Sequence, residues 1–206
     1  MLSSTECAVA TVDAATDIDL VAAAAAGNQH AFEALVGRYQ ALIVSFARSY
    51  TGNDEDAEDL AQEVFVRIYR ALRQFRGDSS FRTWLYKVAV NVVRSHHARQ
   101  GRQELVWGDS GADARRNFDP PADTPPFETL LARREAIACA LAELPGDLRE
   151  AVTLRDVDGL DYREIALATN APMGTVESRI FRGRQRLRRS LVTLLGDLRC
   201  ERKLLF

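Results

Sequence analysis

The chain has 206 residues, a formal net charge of −2 and 47% hydrophobic residues, which is ordinary for a soluble globular protein of one or two domains. It is not a polycation, so any affinity for nucleic acid must come from basic residues gathered on one surface. Its three cysteines and three histidines form no CxxC pair and no metal-ligand spacing, so we expect no metal, no cofactor and no disulfide framework. No apolar run approaches the length of a membrane-spanning helix.

A first helical module is predicted over residues 17–100, after a disordered N-terminus at residues 1–16. Apolar residues recur at helical spacing in four stretches, which are separated at Gly27, Gly52 and Gly77. The third stretch begins with acidic residues and ends with arginines, a polarity that complements the helix macrodipole. Taken alone, its acidic cluster predicts only a solvated face.

The fourth predicted helix, over residues 80–99, combines aromatic and cationic side chains. Lys87, Asn91 and Arg94 share one face at intervals of four and three, and Trp84 adds aromatic surface. Such a face suits single-stranded DNA, because bases stack on aromatic rings and phosphates need neutralising. An alternative that the spacing leaves open is that Trp84 belongs to the core and the cations are merely solvated.

Residues 101–127 lack periodicity and contain three glycines and four prolines, which predicts a flexible interdomain linker. A second helical module is predicted at 128–195, with a tail at 196–206. The predicted fold class is therefore all-α, with two small helical domains joined by a flexible linker.

The stretch 161–189 predicts a helix-turn-helix. Asp161 and Glu164 form a capping-box pair, Asn170–Pro172 breaks the helix, and Thr175 is expected to be the N-cap of the second helix. Six arginines and one glutamate surround the buried stripe of that second helix, which suits a recognition helix in the major groove. The alternative is a solvated amphipathic helix at the end of a bundle. The predicted stripe consists of Val176, Ile180, Gly183 and Leu187.

Four segments, in this order, carry a resemblance to a known family: DAEDLAQEVFVRIYRAL, FRGDSSFRTWLYKVAVN, LPGDLREAVTLRDVDGLDYREIA and GTVESRIFRGRQRLR. Together they resemble the extracytoplasmic-function class of bacterial sigma factors, over residues 17–191. The resemblance implies a sigma-2 domain, a linker and a sigma-4 domain. It also implies that the chain is not an enzyme, because the polymerase performs the chemistry.

By this resemblance, the chain binds core RNA polymerase through the β′ clamp coiled coil and the β flap. It would direct the enzyme to promoters by reading the −35 element as duplex DNA and the −10 element as single-stranded DNA, and so promote melting and initiation. The family also implies regulation by an anti-sigma factor. The implied location is the bacterial cytoplasm, either free or held at the inner membrane by that factor.

The resemblance assigns roles residue by residue. The predicted core-polymerase contacts are Asp59, Gln62, Glu63 and Phe65. The predicted −10 contacts are Phe75, Trp84, Lys87, Asn91 and Arg94, with Asn91 in a pocket for a flipped base. The predicted −35 contacts are Arg155, Thr175, Ser178, Arg179 and Arg182.

Two departures from the family pattern concern the −35 sequence. Glu177 stands where many relatives carry a basic residue, and Asn170-Ala171 replaces the more usual Gly-Cys turn. Two other functions remain as alternatives. A helix-turn-helix regulator acting alone would bind promoters tightly without polymerase and usually as a dimer. A small helical enzyme or adaptor, whose arginine helix binds acidic protein, would show no salt-dependent affinity for DNA.

Overall fold

A computed structural model describes residues 15–51, 53–106 and 136–195, with the backbone alone at 100–106 and 194–195. Within this part of the chain every regular element is helical, which confirms the all-α prediction. The predicted tail and most of the predicted disordered N-terminus and linker lie outside the described residues. We call residues 15–106 the N-terminal module and residues 136–195 the C-terminal module.

The N-terminal module contains the four predicted helices and a short 3₁₀ turn. Side-chain caps start all four of them, since oxygen atoms of four side chains accept from the backbone amides three residues later: Thr16, Asn28, Asn53 and Ser80. The last helix continues to Val106, so the first six residues of the predicted linker are helical. The helices are α1 (Asp17–Ala25), α2 (Gln29–Thr51), α3 (Asp54–Ala71), the 3₁₀ turn (Leu72–Gln74) and α4 (Phe81–Val106).

The C-terminal module contains four further helices and one π-helical turn. Its described part opens with α5 (136–142). The remaining elements are α6 (Gly146–Val152), the π-helical turn (Thr153–Val157), α7 (Tyr162–Thr169) and α8 (Met173–Leu195).

Helices α7 and α8 form the predicted helix-turn-helix. The Asp161 side chain accepts from the Glu164 amide at 2.8 Å, and the Glu164 carboxylate accepts from the Asp161 amide at 2.9 Å. Asn170 then ends α7 in the left-handed conformation, with φ of 53°. The prediction that Thr175 caps α8 was wrong. The Pro172 carbonyl accepts from the Thr175 amide at 2.9 Å, so α8 already begins at Met173.

The buried cores of the two modules are continuous. Apolar residues from α1 to α4 form one cluster with residues of the C-terminal module, among them Leu154, Ile165 and Ile180. A smaller second cluster, which includes Val152 and Leu187, lies within the C-terminal module alone. Helix α4 therefore packs against the helix-turn-helix, and the modules form one body in this arrangement.

Candidate nucleic-acid interfaces

An aromatic cluster lies at the start of α4. The Trp84 ring centroid is 5.1 Å from that of Phe75 and 6.0 Å from that of Phe81. Phe81 is buried, whereas Phe75 and Trp84 are only half-buried. Trp84 is thus neither a fully buried core residue nor a free surface ring, and it presents aromatic surface beside the exposed face of α4.

Lys87 and Asn91 continue that face toward the C-terminus of α4. Both side chains are exposed, and they are four positions apart in the sequence, so they lie about one helical turn apart. The structure therefore brings together Phe75, Trp84, Lys87 and Asn91 of the predicted −10 contacts.

Arg94, the fifth predicted −10 contact, is bound by the C-terminal module. Its Nε and Nη2 atoms donate to the two carboxylate oxygens of Glu150, at 3.0 and 2.7 Å. Its Nη1 atom donates to the Thr169 carbonyl at 3.3 Å. The Glu150 side chain is only 4% exposed, and its burial raises its pKa while the ion pair with Arg94 opposes that rise.

The outward face of α8 carries a compact group of exposed side chains in its N-terminal half. Ser178 and Arg182 are exposed one turn apart, and the Arg182 Nε donates to the Ser178 carbonyl at 3.3 Å. Phe181 lies between them and is 64% exposed. Sequence reasoning missed Phe181, although a phenylalanine outside the predicted buried stripe of an amphipathic helix was a usable signal.

Three other predicted −35 contacts have side chains that are half-buried or bonded to other residues. Arg155 donates to the Leu160 carbonyl at 2.8 Å, and its guanidinium lies 5.1 Å from the centre of the Tyr162 ring. Arg179 forms an ion pair with Asp147 at 3.3 Å. Thr175 lies half-buried in the first turn of α8. The described contacts of Arg155 and Arg179 thus lie within the C-terminal module.

The predicted polymerase-binding residues of α3 divide between surface and core. Asp59 and Gln62 are exposed, and Glu63 pairs with Arg67 at 2.5 Å. Phe65 is only 8% exposed, because it lies beside Val64 on the buried side of α3. It reaches the surface only as part of the lining of an apolar groove between α2 and α3.

That groove carries the exposed aromatic surface of α3. Tyr69 is 61% exposed, and its ring packs edge-on against Phe32 of α2 with centroids 4.9 Å apart. Val66, one turn earlier on α3, is 47% exposed. The groove thus places apolar surface beside the polar side chain of Gln62.

Comparison with known proteins assigns the chain to a family. Residues 35–103 match Sigma-70 region 2, and residues 134–187 match Sigma-70, region 4. The RNA polymerase sigma-H factor of Pseudomonas aeruginosa is 37% identical over 192 residues, which are 88% of this chain and 96% of that protein. The ECF RNA polymerase sigma-E factor of Escherichia coli K12 is 42% identical over 176 residues, 82% of this chain and 91% of that protein. The chain belongs to the extracytoplasmic-function (ECF) sigma factors.

Two solved structures resemble this ECF sigma factor in fold. CnrH in complex with the cytosolic domain of CnrY is 29% identical, with a TM-score of 0.61 over 84% of this chain and 96% of CnrH. The sigma factor RpoE in complex with the anti-sigma factor NepR from Bartonella quintana has a TM-score of 0.62 at 24% identity, covering 78% of this chain and 96% of that one. The second likeness concerns the fold alone.

Family membership settles the class of function. Sigma factors are transcription initiation factors that bind core RNA polymerase and direct it to promoters, so this chain is not an enzyme. The family assignment excludes both alternative functions that the sequence left open. Among the helices that the structure describes, none is long and apolar enough to cross a membrane.

Proposed function

We propose that this sigma factor reads the −35 element through the outward face of α8 and the −10 element through the exposed face of α4. The observation that carries the proposal is the group of Ser178, Phe181 and Arg182, exposed side by side in the N-terminal half of the recognition helix. In a helix-turn-helix, that half of the second helix meets the base edges in the major groove.

The chemistry of the three side chains suits base reading. An arginine can donate two hydrogen bonds to guanine, a serine hydroxyl can bond to several bases, and a phenylalanine can pack against the methyl group of thymine. Arginines farther along α8 would then meet phosphates, which adds affinity but no sequence information. Glu177, exposed beside this group, would weaken the attraction to a nearby phosphate.

The variant Arg182→Ala should bind −35 promoter DNA about tenfold or more weakly, because a bidentate arginine–guanine contact is worth roughly 1–3 kcal/mol. The measurement is the affinity of the reconstituted holoenzyme for promoters that are identified by sequencing transcript start sites after overexpression. If the affinity falls on only one −35 sequence, Arg182 reads a base. A uniform loss with a smaller salt slope indicates a phosphate contact.

Arg188→Ala is the matched control for this experiment. It removes another exposed arginine of α8 that, six residues later, points about 240° around the helix axis. Arg188→Ala shows the loss that removal of another α8 arginine produces. If Arg182→Ala had the same affinity as the wild type on every promoter, Arg182 would have no part in recognition.

For the −10 element, the supporting observation is the shared face of Trp84, Lys87 and Asn91. An exposed amide can form hydrogen bonds with the edge of an unstacked base, a half-buried indole offers a stacking surface, and a lysine can neutralise a phosphate. Capture of an unpaired strand by these groups would shift the equilibrium from closed to open promoter DNA.

The variant Asn91→Ala should impair promoter opening more than initial docking, because the base it would bind is accessible only after melting. Opening is measured by permanganate reactivity of unpaired thymines, and docking by a mobility shift of the holoenzyme on the same duplex. Gln29→Ala is a matched control, since it removes another exposed amide of the N-terminal module. An equal loss of docking and opening would count against a base pocket at Asn91.

We further propose that Asp59, Gln62, Glu63 and the groove beside Phe65 bind the β′ clamp coiled coil, while the C-terminal module contacts the β flap. The mixture of exposed polar side chains and apolar groove suits a partner helix, which needs both kinds of contact. An anti-sigma factor that competes for the same surfaces would regulate the chain, as its membership of the ECF sigma factors implies. The proposed site of action is the bacterial cytoplasm, with retention at the inner membrane where the anti-sigma factor is anchored there.

A further inference from the structure

Three side chains of α4 form polar contacts with the C-terminal module. The Arg82 guanidinium donates to the Asp158 carbonyl, and the Thr83 hydroxyl donates to the Glu164 carboxylate at 3.0 Å. The third contact is the bidentate ion pair of Arg94 with Glu150, described above. We call these three contacts the latch. They are spread over more than three turns of α4, so the helix is held along much of its length.

The latch surrounds apolar contacts between the same elements. Ile165 and Ala168 of α7 are buried in the same cluster as Val90 and Val93 of α4. A further contact between the two modules lies at the end of α2, where the Arg149 guanidinium donates to the Ser49 carbonyl at 3.3 Å. The modules therefore meet through a packed interface with an ion pair in which Glu150 is buried and Arg94 is half-exposed, and not through scattered surface contacts.

The packed arrangement is too short to read both promoter elements at once. The promoter positions that give the −10 and −35 elements their names are about 25 base pairs apart. This separation is roughly 85 Å at 3.4 Å per base pair. A compact body of about 150 residues has a radius of gyration near 15 Å and a diameter of about 40 Å. The two modules must therefore separate before both can bind a promoter.

Arg94 connects this separation to promoter reading. Three of its five guanidinium N–H donors are used, two by the oxygens of Glu150 and one by the Thr169 carbonyl, and the side chain is 45% exposed. It lies on α4 three residues beyond Asn91, at the border between the exposed face and the latch. While the ion pair is formed, Glu150 occupies the bidentate Nε and Nη2 side of the guanidinium, so a phosphate of the −10 strand would compete with Glu150 for it.

We propose that the latch is an autoinhibitory contact, in which Glu150 of the C-terminal module acts as an intramolecular substitute for a −10 phosphate on Arg94. The inhibitory part of this inference rests on the proposed role of Arg94 in −10 binding. The latch itself is independent of that role. Opening exposes Glu150 and frees Arg94, so core polymerase and the promoter select the separated modules.

The test follows the distance between the modules in the full chain, free in solution. Spin labels are placed at Ser45 on α2 and Gln185 on α8, both exposed, after Cys7, Cys139 and Cys200 are replaced by serine. The wild type should give one narrow distance distribution. Glu150→Arg places a cation against Arg94, and should raise the population of longer distances at least tenfold.

A charge swap separates the latch from general damage to the fold. The double variant Arg94→Glu with Glu150→Arg restores an ion pair across the interface and should return the distribution to the narrow, short one. Asp156→Arg is the matched control, because it breaks the ion pair with Arg184 inside the C-terminal module and should leave the distance unchanged. A broad distribution in the wild type, or no change in Glu150→Arg, would overturn the latch.

A second readout tests autoinhibition. Glu150→Arg should bind a single-stranded −10 oligonucleotide at least tenfold more tightly than Asp156→Arg, which carries the same added charge. If the distances lengthen in Glu150→Arg but the two variants bind the oligonucleotide equally tightly, autoinhibition is refuted. A separate variant tests the proposed −10 function itself, namely Asn91→Ala combined with Glu150→Arg. If the exposed face of α4 does not bind the −10 strand, adding Asn91→Ala to Glu150→Arg will leave the oligonucleotide affinity unchanged.

Discussion

Asp158→Asn should raise the free energy of unfolding, and this increase should be about 2.5 kcal/mol larger at pH 8 than at pH 5. Asp158 is only 4% exposed, and its Oδ2 atom has no hydrogen-bond partner among the described residues. Burial raises the pKa of this carboxyl to about 7, and the neighbouring Tyr86 hydroxyl and Arg82 guanidinium only partly oppose the rise. The folded protein therefore holds a carboxylate at high pH in a place that favours the neutral acid.

The direction of the pH dependence follows from the two pKa values. In the unfolded chain the carboxyl has its ordinary pKa of 3.8, and in the folded chain about 7, so the folded state binds the proton more tightly. Well below pH 3.8 both states are protonated and Asp158 carries no penalty. The penalty grows as the pH rises from 4 to 7 and stays constant above 7, at about 4 kcal/mol. An asparagine has no charge to bury, and so removes the penalty.

Urea unfolding of the wild type and of Asp158→Asn at pH 5, 6, 7 and 8 measures the effect. Glu150, whose pKa burial also raises, is present in both chains, so its contribution cancels in the comparison. Asp156→Asn is the control, because it changes a carboxylate two residues away whose ion pair with Arg184 is partly exposed. Parallel pH profiles of wild type and Asp158→Asn would show that Asp158 titrates normally in the folded protein.

The features that the sequence predicted correctly are the local ones. The capping box of Asp161 and Glu164 and the break at Asn170–Pro172 depend on residues within a few positions of each other, so their signals are complete in a short stretch of sequence. The N-cap at Thr175 was wrong for a local reason as well. The Pro172 carbonyl accepts from the Thr175 and Val176 amides, so Thr175 already lies within the first turn of α8 and is not its N-cap.

The features that the sequence did not predict depend on distant contacts. The spacing of Lys87, Asn91 and Arg94 predicted a shared face, but the partner of Arg94 is 56 residues away across the predicted linker. No periodicity can indicate that pairing. The open question about Trp84, core or surface, likewise depended on Phe75 and Phe81 closing around one side of its ring.

Gly183→Ala should lower the free energy of unfolding by about 2 kcal/mol, although alanine is the better helix former. Gly183 lies where α8 crosses α6, and a Cβ atom there would stand 2.5 Å from Val152 Cγ2 and 3.2 Å from the Leu148 carbonyl oxygen. Val152 is 1% exposed and β-branched, so its methyl group cannot rotate away without a clash elsewhere. The two helices must therefore move apart, which loosens the cluster around Leu187.

Gly174→Ala supplies the matched control in the same helix. A Cβ atom at Gly174 would meet no described atom within 4 Å, and the residue has no left-handed φ, so alanine there should be neutral or stabilise by up to about 1 kcal/mol. Urea unfolding of the two variants separates crowding from helix propensity, since both gain the same methyl group. Because α8 is also the proposed reading helix, Gly183→Ala should weaken −35 binding through a displaced helix axis without removing any side chain from the DNA surface. If Gly183→Ala were as stable as Gly174→Ala, the close crossing of α6 and α8 would not be a constraint on the fold.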